Sequence, residues 1–214
     1  MNQRPLILSE LTTDEFSSLR PDIDLVLMPS GSIRHHQAES PLGTDTLTAE
    51  RFCHIASEYF FPNLLVAPPI YWSILDPKLP ESKQLCIDSN TTTSIISDVI
   101  SSLQTHGLNN HLIINNHPIS DQLLNDVSKG LTQTIPGLTV RNIALPELGL
   151  SHRISNGLNM MAENPKSHKQ RQQQAIQETI SLDDIETEDN ALTDENWLSA
   201  ALERLKDVIE VTYT

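Results

Sequence analysis

Short apolar runs alternate with amphipathic stretches along the first two-thirds of the chain. Four apolar runs have the length and the bounding residues of buried strands: residues 24–28, 64–67, 111–115 and 138–144. Three intervening stretches repeat apolar side chains at helical spacing: residues 46–61, 92–106 and 120–134. Because strands that alternate with helices of this length form parallel sheets covered on both faces, we predict a three-layer α/β/α sandwich with a mostly parallel sheet.

The composition changes after residue 165, and this change divides the chain into three predicted parts. We assign residues 1–165 to the α/β domain, 166–196 to a polar and acidic segment, and 197–214 to a C-terminal helix. Residues 178–195 carry eight acidic side chains. The segment is therefore predicted to be either a flexible connection or an acidic arm that docks on a basic partner. The C-terminal helix is expected to pack on the domain or on a neighbouring subunit.

The chain carries far more acidic than basic side chains, and this balance excludes two classes of partner. Its 14 Lys and Arg against 28 Asp and Glu give a net charge of -14. Nucleic-acid backbones and anionic membranes both attract clustered positive charge, so neither is an expected partner. The N-terminal residues lack the apolar run of a signal peptide, and no stretch approaches the roughly 20 apolar residues of a membrane span. We therefore expect a cytoplasmic protein in which Cys53 and Cys86 are reduced.

Histidine and carboxylate side chains follow three of the predicted strands. The segment GSIRHHQAESPLGTD at residues 31–45 follows the first strand, His117 follows the third, and Glu147 and His152 follow the fourth. Because the carboxyl ends of parallel strands meet at one edge of a sheet, these loops are expected to converge. Imidazole nitrogens and carboxylate oxygens are ligands that Zn²⁺ and Mn²⁺ take in proteins. A metal site and a set of solvated histidines are both compatible with this pattern.

The segment at residues 31–45 resembles a motif of the creatininase (creatinine amidohydrolase) family, GSxEQHGxHLPxxTD. The preceding VLMP at residues 26–29 also fits this family. Further along, IINNH at residues 113–117 resembles the family's VNGHGGN stretch, and SSLQTHG at residues 101–107 resembles its SLxxHG. The similarity runs in order over roughly residues 8–165. The chain thus resembles a diverged member of the family.

This resemblance implies a creatininase-like α/β fold and an amidohydrolase that assembles as a homo-oligomer, commonly a hexamer, around one or two divalent metals per subunit. Three metal-ligand positions of the family are retained as His36, Asp45 and His117. The implied substrate is a small amide or a peptide-like amide. The implied partner is another copy of the chain, in a hexamer or a dimer, or an enzyme that this chain joins as a subunit.

Other family positions are changed. A ligand glutamate is replaced by Arg34, a motif histidine by Glu39, and the two glycines after the later histidine by the Pro-Ile pair at residues 118–119. The late HAGxxETS stretch keeps only its glycine, and His152 falls at its glutamate position. An arginine about 4 Å from a divalent cation costs several kcal/mol. We therefore expect the Arg34 guanidinium to bind Asp45 and to substitute for one metal.

Two functions stay open from the sequence, and the first is a metal-dependent amidohydrolase. A single divalent ion (Zn, Mn or Fe) would be held by His36, Asp45 and either His117 or His152. The candidate catalytic residues of this hydrolase are Glu39 or His35, as the general base, and Arg34, which would stabilise the oxyanion.

The second function is that of a catalytically inactive homologue. Here no metal is bound, and the fold is kept for assembly as a structural or partner subunit of an enzyme complex. The replaced glutamate at Arg34, the lost glycines at residues 118–119 and the missing HAGxxETS match favour this reading. Fold similarity does not decide between the two, because function resides in the site.

Overall fold

The computed structural model describes residues 4–36, 40–150 and 197–213, and a five-stranded parallel sheet forms its centre. The strands of this sheet are β1 (Leu6–Ile7), β2 (Leu25–Ser30), β4 (Leu64–Val66), β6 (Asn110–Asn115) and β7 (Thr139–Ala144), in the spatial order β1-β4-β2-β6-β7. Every neighbouring pair in the sheet is parallel. A separate antiparallel pair joins β3 (Ile33–Arg34) to β5 (Gln84–Leu85).

Helices cover both faces of the sheet, because successive residues of each strand point to opposite sides. The described helices are α1 (Thr13–Leu19), α2 (Thr44–Tyr59), α3 (Ser89–Thr105), α4 (Asp121–Thr134) and α5 (Trp197–Tyr213). Leu25 and Leu27 of β2 pack in one core cluster with side chains of α2 and α5. Val26 and Met28 pack in a second cluster with side chains of α3 and α4. The sheet is the middle of three layers, so the predicted fold class is confirmed.

The four predicted strands and the helices between them are present, with ends shifted by at most a few residues. The pattern missed four short elements, namely α1, β1, β3 and β5. A strand of two residues gives no periodicity to read, and α1 has only 7 residues, held by a capping box between Thr12 and Glu15. None of the described helices is long and apolar enough to cross a membrane.

The C-terminal helix packs on the α/β domain. Ala201, Leu202 and Leu205 of α5 are buried in the same core cluster as Phe52 of α2. The predictions made for residues 166–196, and the boundary after residue 165, lie outside the described residues. Both cysteines are free, with Cys53 buried and Cys86 partly exposed.

The loops after β2 and β6 start side by side, because these strands are neighbours paired through their last residues. The Asn116 side-chain amide, just beyond β6, donates to the backbone carbonyl of Asp45 in α2 at 3.3 Å. On the other loop, Gly31 runs so close to the first turn of α2 that an added Cβ would lie 2.2 Å from the backbone nitrogen of Thr46. The predicted convergence of the two loops is thus observed, and the close approach of Gly31 to α2 leaves no space for a Cβ at that position.

Replacing Gly31 by alanine is expected to destabilise the fold. The new methyl group meets the backbone of α2, so the loop or the helix must move, and we expect a loss of about 3 kcal/mol in the free energy of unfolding. Gly130→Ala is the matched control, because nothing lies within 4 Å of a Cβ at that position. The control should be neutral or slightly stabilising. Urea denaturation compares the two, and equal stabilities would contradict the close approach.

His111 gives a second prediction, because it is a fully buried histidine at the edge of the sheet opposite to these loops. Its ring Nε2 lies 2.9 Å from the Leu108 carbonyl oxygen, and burial lowers the pKa of His111 to about 4. Folding therefore favours the neutral ring. Its contribution to stability is complete above the unfolded pKa of about 6.5 and is lost as the pH falls from there towards 4.

Lowering the pKa of His111 from 6.5 to about 4 corresponds to a change of about 3 kcal/mol in the free energy of unfolding over this pH range. In His111→Gln, the free energy of unfolding should fall less between pH 6.5 and 4 than it does in the wild type. His106→Gln is the control, because His106 is an exposed histidine. Chemical denaturation at a series of pH values measures both variants, and unchanged curves for His111→Gln would show that this ring does not titrate with folding.

Candidate functional site

The candidate site lies at the start of α2, where Asp45 is completely buried in the first turn. Its carboxylate faces the segment that follows β2. The Ser32 hydroxyl donates to Asp45 Oδ2 at 2.5 Å, and Arg34 Nε donates to the same oxygen at 2.8 Å. A negative charge in the first turn of a helix is further stabilised by the helix dipole. Two hydrogen bonds and the helix dipole therefore stabilise the negative charge of this buried carboxylate.

Arg34 also faces a second carboxylate. Its Nη1 lies 3.8 Å from Oδ2 of Asp76, a buried residue in the loop between β4 and β5. That loop is fixed to β5 because the Asp76 backbone N–H donates to Gln84 Oε1 at 2.8 Å, while Gln84 Nε2 donates back to the Asp76 carbonyl at 2.9 Å. The guanidinium thus joins β3, α2 and the Asp76 loop. The contact predicted between Arg34 and Asp45 is present.

Two histidines complete the cluster. His36 Nε2 lies 3.7 Å from Asp45 Oδ1, an oxygen that accepts no hydrogen bond from the described residues. His117, after β6, is buried, with Nδ1 2.9 Å from the Ser120 hydroxyl. Burial lowers the pKa of His117 to about 4, although the negative charges of Asp45 and Asp76 act in the opposite direction. His117 is therefore neutral near pH 7.

The remaining predicted site residues are placed differently. His35 is exposed, and it lines a groove of about 170 Å³ with Lys83 and Leu85 on the outer side of β3. No contact between the His35 side chain and Asp45 is found in the described part of the chain. Glu39 and His152 lie outside the described residues. The role of Glu39 as general base, and that of His152 as the alternative to His117 among the three metal ligands, therefore stay predictions.

Three residues of the site were not predicted from the sequence, namely Ser32, Asp76 and Ser120. Ser32 could have been found, since it lies between Gly31 and Arg34 in the motif itself. Asp76 lies in a proline-rich loop without periodicity, more than 30 positions from Asp45. Nothing in the sequence pattern places it beside Arg34.

The described residues do not fit the metal centre that the resemblance implies. No group of three His, Cys, Asp or Glu side chains in residues 4–36, 40–150 and 197–213 has the arrangement needed to hold a metal ion. One oxygen of Asp45 is already bound by a guanidinium, and a divalent cation near that group would meet a like charge. His36, His117 and the Asp45 carboxylate remain close together. The positive charge at the family's glutamate position is that of the Arg34 side chain rather than that of a metal ion.

A cavity of about 180 Å³ lies next to His117. Amides, a carboxylate and apolar side chains form its wall: Asn115, Asn116, His117, Pro118, Asp121, Ala144, Pro146 and Leu150. The Asp121 carboxylate already accepts side-chain amide hydrogens from Asn142 at 2.7 Å and from Asn125 at 3.2 Å. Both oxygens of this carboxylate therefore have hydrogen-bond donors within the chain.

Known structures of similar fold were found by comparison. A creatininase with Mn has a TM-score of 0.65 and 15% sequence identity, over 98% of this chain and 99% of that chain. A mutant creatininase of the Zn-Zn type has a TM-score of 0.64 and 15% identity, over 97% of this chain and 98% of that one. At these identities the likeness concerns the fold.

A protein from Bacteroides fragilis, assigned as a creatinine amidohydrolase, has a TM-score of 0.59 and 21% identity over 69% of this chain. The match spans only 58% of the length of that protein. None of the curated protein sequences compared with this chain matches it significantly.

The sequence profile of one family, creatininase, described as creatinine amidohydrolase, matches residues 9–190. This match covers most of the 214 residues and includes the loops that carry Arg34, Asp45 and His117. The chain belongs to the creatininase family.

Proposed function

We propose that this chain is a non-hydrolytic member of the creatininase family that serves as a structural or partner subunit. The observation that carries this proposal is the contact of 2.8 Å between Arg34 Nε and Asp45 Oδ2. Amide hydrolysis at a metal centre needs a cation that polarises the carbonyl group and activates a water molecule. In this chain an arginine, which does not ligate and activate a water molecule as a metal ion does, supplies the positive charge beside the central carboxylate.

The charge balance supports the same conclusion. The Arg34 side chain is 16% exposed, and the carboxylates of Asp45 and Asp76 are 0% and 8% exposed. Two buried carboxylates face one buried guanidinium, so one of the two negative charges is already compensated within the chain. A divalent ion placed about 4 Å from the guanidinium would be repelled by about 8 kcal/mol at an effective dielectric constant of 20.

The loop after β6 offers a second line of support. Pro118 and Ile119 begin a short 3-10 helix, Pro118–Ser120, directly after His117. Proline fixes one backbone angle, and both side chains occupy volume where the family motif has glycines. This loop is thus stiffer and fuller than the motif it resembles, which disfavours a substrate that must approach the His117 backbone closely.

One arrangement favours the other candidate, a metal-dependent amidohydrolase with a single ion. Asp45 Oδ1 accepts no hydrogen bond from described residues, and His36 Nε2 lies 3.7 Å away, a separation that two ligands of one metal can have. His117 is neutral and has its Nδ1 engaged by Ser120, as is typical of metal-bound imidazoles. In that case the substrate would be a small or peptide-like amide.

The metal content of the purified protein separates the two candidates. If the chain is non-hydrolytic, we expect far less than one Zn, Mn or Fe per chain by mass spectrometry, before and after incubation with each ion. His36→Ala should leave this value unchanged, and no metal-stimulated hydrolysis of small cyclic or linear amides should appear. One ion per chain that is lost in His36→Ala would establish the single-metal hydrolase instead.

Replacing Arg34 by glutamate should create the missing ligand position. With the positive charge gone and a carboxylate added beside Asp45 and His117, we expect Arg34→Glu to bind one more Mn²⁺ or Zn²⁺ per chain than the wild type in a calorimetric titration. Without metal, the variant should be less stable near neutral pH, since close carboxylates repel. Added metal should restore the loss, and a chelator should remove it again.

Lys129→Glu is the control for this experiment, because it makes the same change of charge at an exposed site on α4. It should gain neither metal affinity nor sensitivity to the chelator. If Arg34→Glu and the wild type bind metal with equal stoichiometry, the interaction of Arg34 with Asp45 is not what excludes the ion.

A further inference from the structure

The small β3–β5 sheet has two faces, and its inner face belongs to the Asp45 cluster. Arg34 and Gln84 are direct partners in this antiparallel pair. Both side chains point inwards, because Arg34 Nε donates to Asp45 and Gln84 Oε1 accepts the backbone N–H of Asp76. Since side chains alternate between the two faces of a strand, the residues on either side of Arg34 and Gln84 lie on the outer face.

The outer face carries one apolar pair and one basic pair of side chains. Ile33 and Leu85 are direct partners, and we call them the apolar pair. Two positions further along β3, the His35 backbone N–H donates to the Lys83 carbonyl at 2.8 Å, so these residues also face each other and form the basic pair. Two residues of a strand span about 7 Å, which is therefore the separation of the two pairs.

A groove of about 170 Å³ is lined by both pairs. Leu42, which is 52% exposed, adds a third apolar side chain to its wall, beside Leu85 at 50%. None of the eight described residues that line the groove is acidic, although the chain has 28 acidic and only 14 basic side chains. The groove thus has an apolar end and a positively charged end.

Contacts within the chain fix the shape of this groove. The Arg34 backbone N–H donates to the Leu42 carbonyl at 2.9 Å, which holds Leu42 against β3. The Lys83 backbone N–H donates to the Pro80 carbonyl at 2.9 Å and closes the turn that leads into β5. A site that is formed before its ligand arrives loses less entropy on binding.

We propose that this groove binds a free short-chain carboxylate, with the carboxylate group on the basic pair and the aliphatic body on the apolar pair and Leu42. Lys83 supplies one positive charge, which matches an anion with a single negative charge. The His35 ring adds a second donor, because a neutral imidazole carries one N–H in either tautomer. The distance of about 7 Å between the two pairs is spanned by an extended chain of about six carbons.

The volume of the groove also indicates a small ligand. It lies well below the roughly 300 Å³ at which pockets for drug-sized molecules begin. The inference goes beyond the proposed function and does not depend on it, because the groove and the Asp45 cluster lie on opposite faces of β3.

A titration of the full chain with hexanoate, followed by heteronuclear NMR spectra, tests this inference. We expect saturable shifts confined to the backbone amides around Ile33, Leu42 and Leu85. The dissociation constant should be about 1 mM, as is typical of a ligand with about eight heavy atoms. Hexylamine and hexanol, which have the same body with a positive charge or none, should bind at least about tenfold more weakly.

Three variants at exposed positions separate the two ends of the groove from the rest of the surface. Lys83→Glu should weaken hexanoate binding at least about tenfold and strengthen hexylamine binding, because the charge at that end is reversed. Leu85→Ser should weaken hexanoate binding by about tenfold, because apolar contact is lost. Lys129→Glu is the matched control, since it makes the same change of charge on α4, and it should bind hexanoate like the wild type.

The dispersion of the spectra shows directly that each variant is folded. Shifts that stay linear up to about 20 mM hexanoate, or that spread over the whole surface, would overturn the assignment. Equal affinities for hexanoate and hexanol would do the same, and so would unchanged hexanoate binding in Lys83→Glu.

Discussion

A buried carboxylate is stable in a protein only when a positive charge or several hydrogen-bond donors compensate it. Asp45 is such a group, completely buried at the start of α2, and the compensating charge is the guanidinium of Arg34. A metal ion at this position would bind or dissociate as its concentration changed, whereas the arginine side chain is a permanent part of the chain. The consequence is a site whose loops are joined by an ion pair within the chain itself.

The contact between Arg34 and Asp45 depends in turn on how closely β3 approaches α2. Gly31 allows this approach, because only a residue without Cβ can lie beside the Thr46 backbone. Ser32 then reaches Asp45 from the same segment. The parallel pairing of β2 with β6 places His117 beside the cluster. Sheet register, a glycine contact and one ion pair therefore act together, and the loss of any of them would separate the side chains of the site.

Much of this arrangement could be predicted from the sequence, since buried strands such as residues 111–115 are strongly apolar and parallel strands bring their ends to one edge. The pairing of Arg34 with Asp45 also followed, because the family motif places both positions at one centre. Asp76 could not be predicted. It reaches Arg34 only because Gln84 fixes its loop, and a contact between side chains distant in sequence leaves no periodic signal. The strands β3 and β5 could not be predicted either, because a strand of two residues shows no periodicity in the sequence.

These hidden strands also connect the site with the surface of the chain. In β3, consecutive residues point to opposite faces, so Arg34 turns towards Asp45 while Ile33 pairs with Leu85 of β5. The ion pair thus holds β3 on its inner side, and the Gln84 side chain holds the Asp76 loop against β5. Because an arginine stands where the family motif has a metal-binding glutamate, the contacts that join β3, α2 and the Asp76 loop all come from the chain itself.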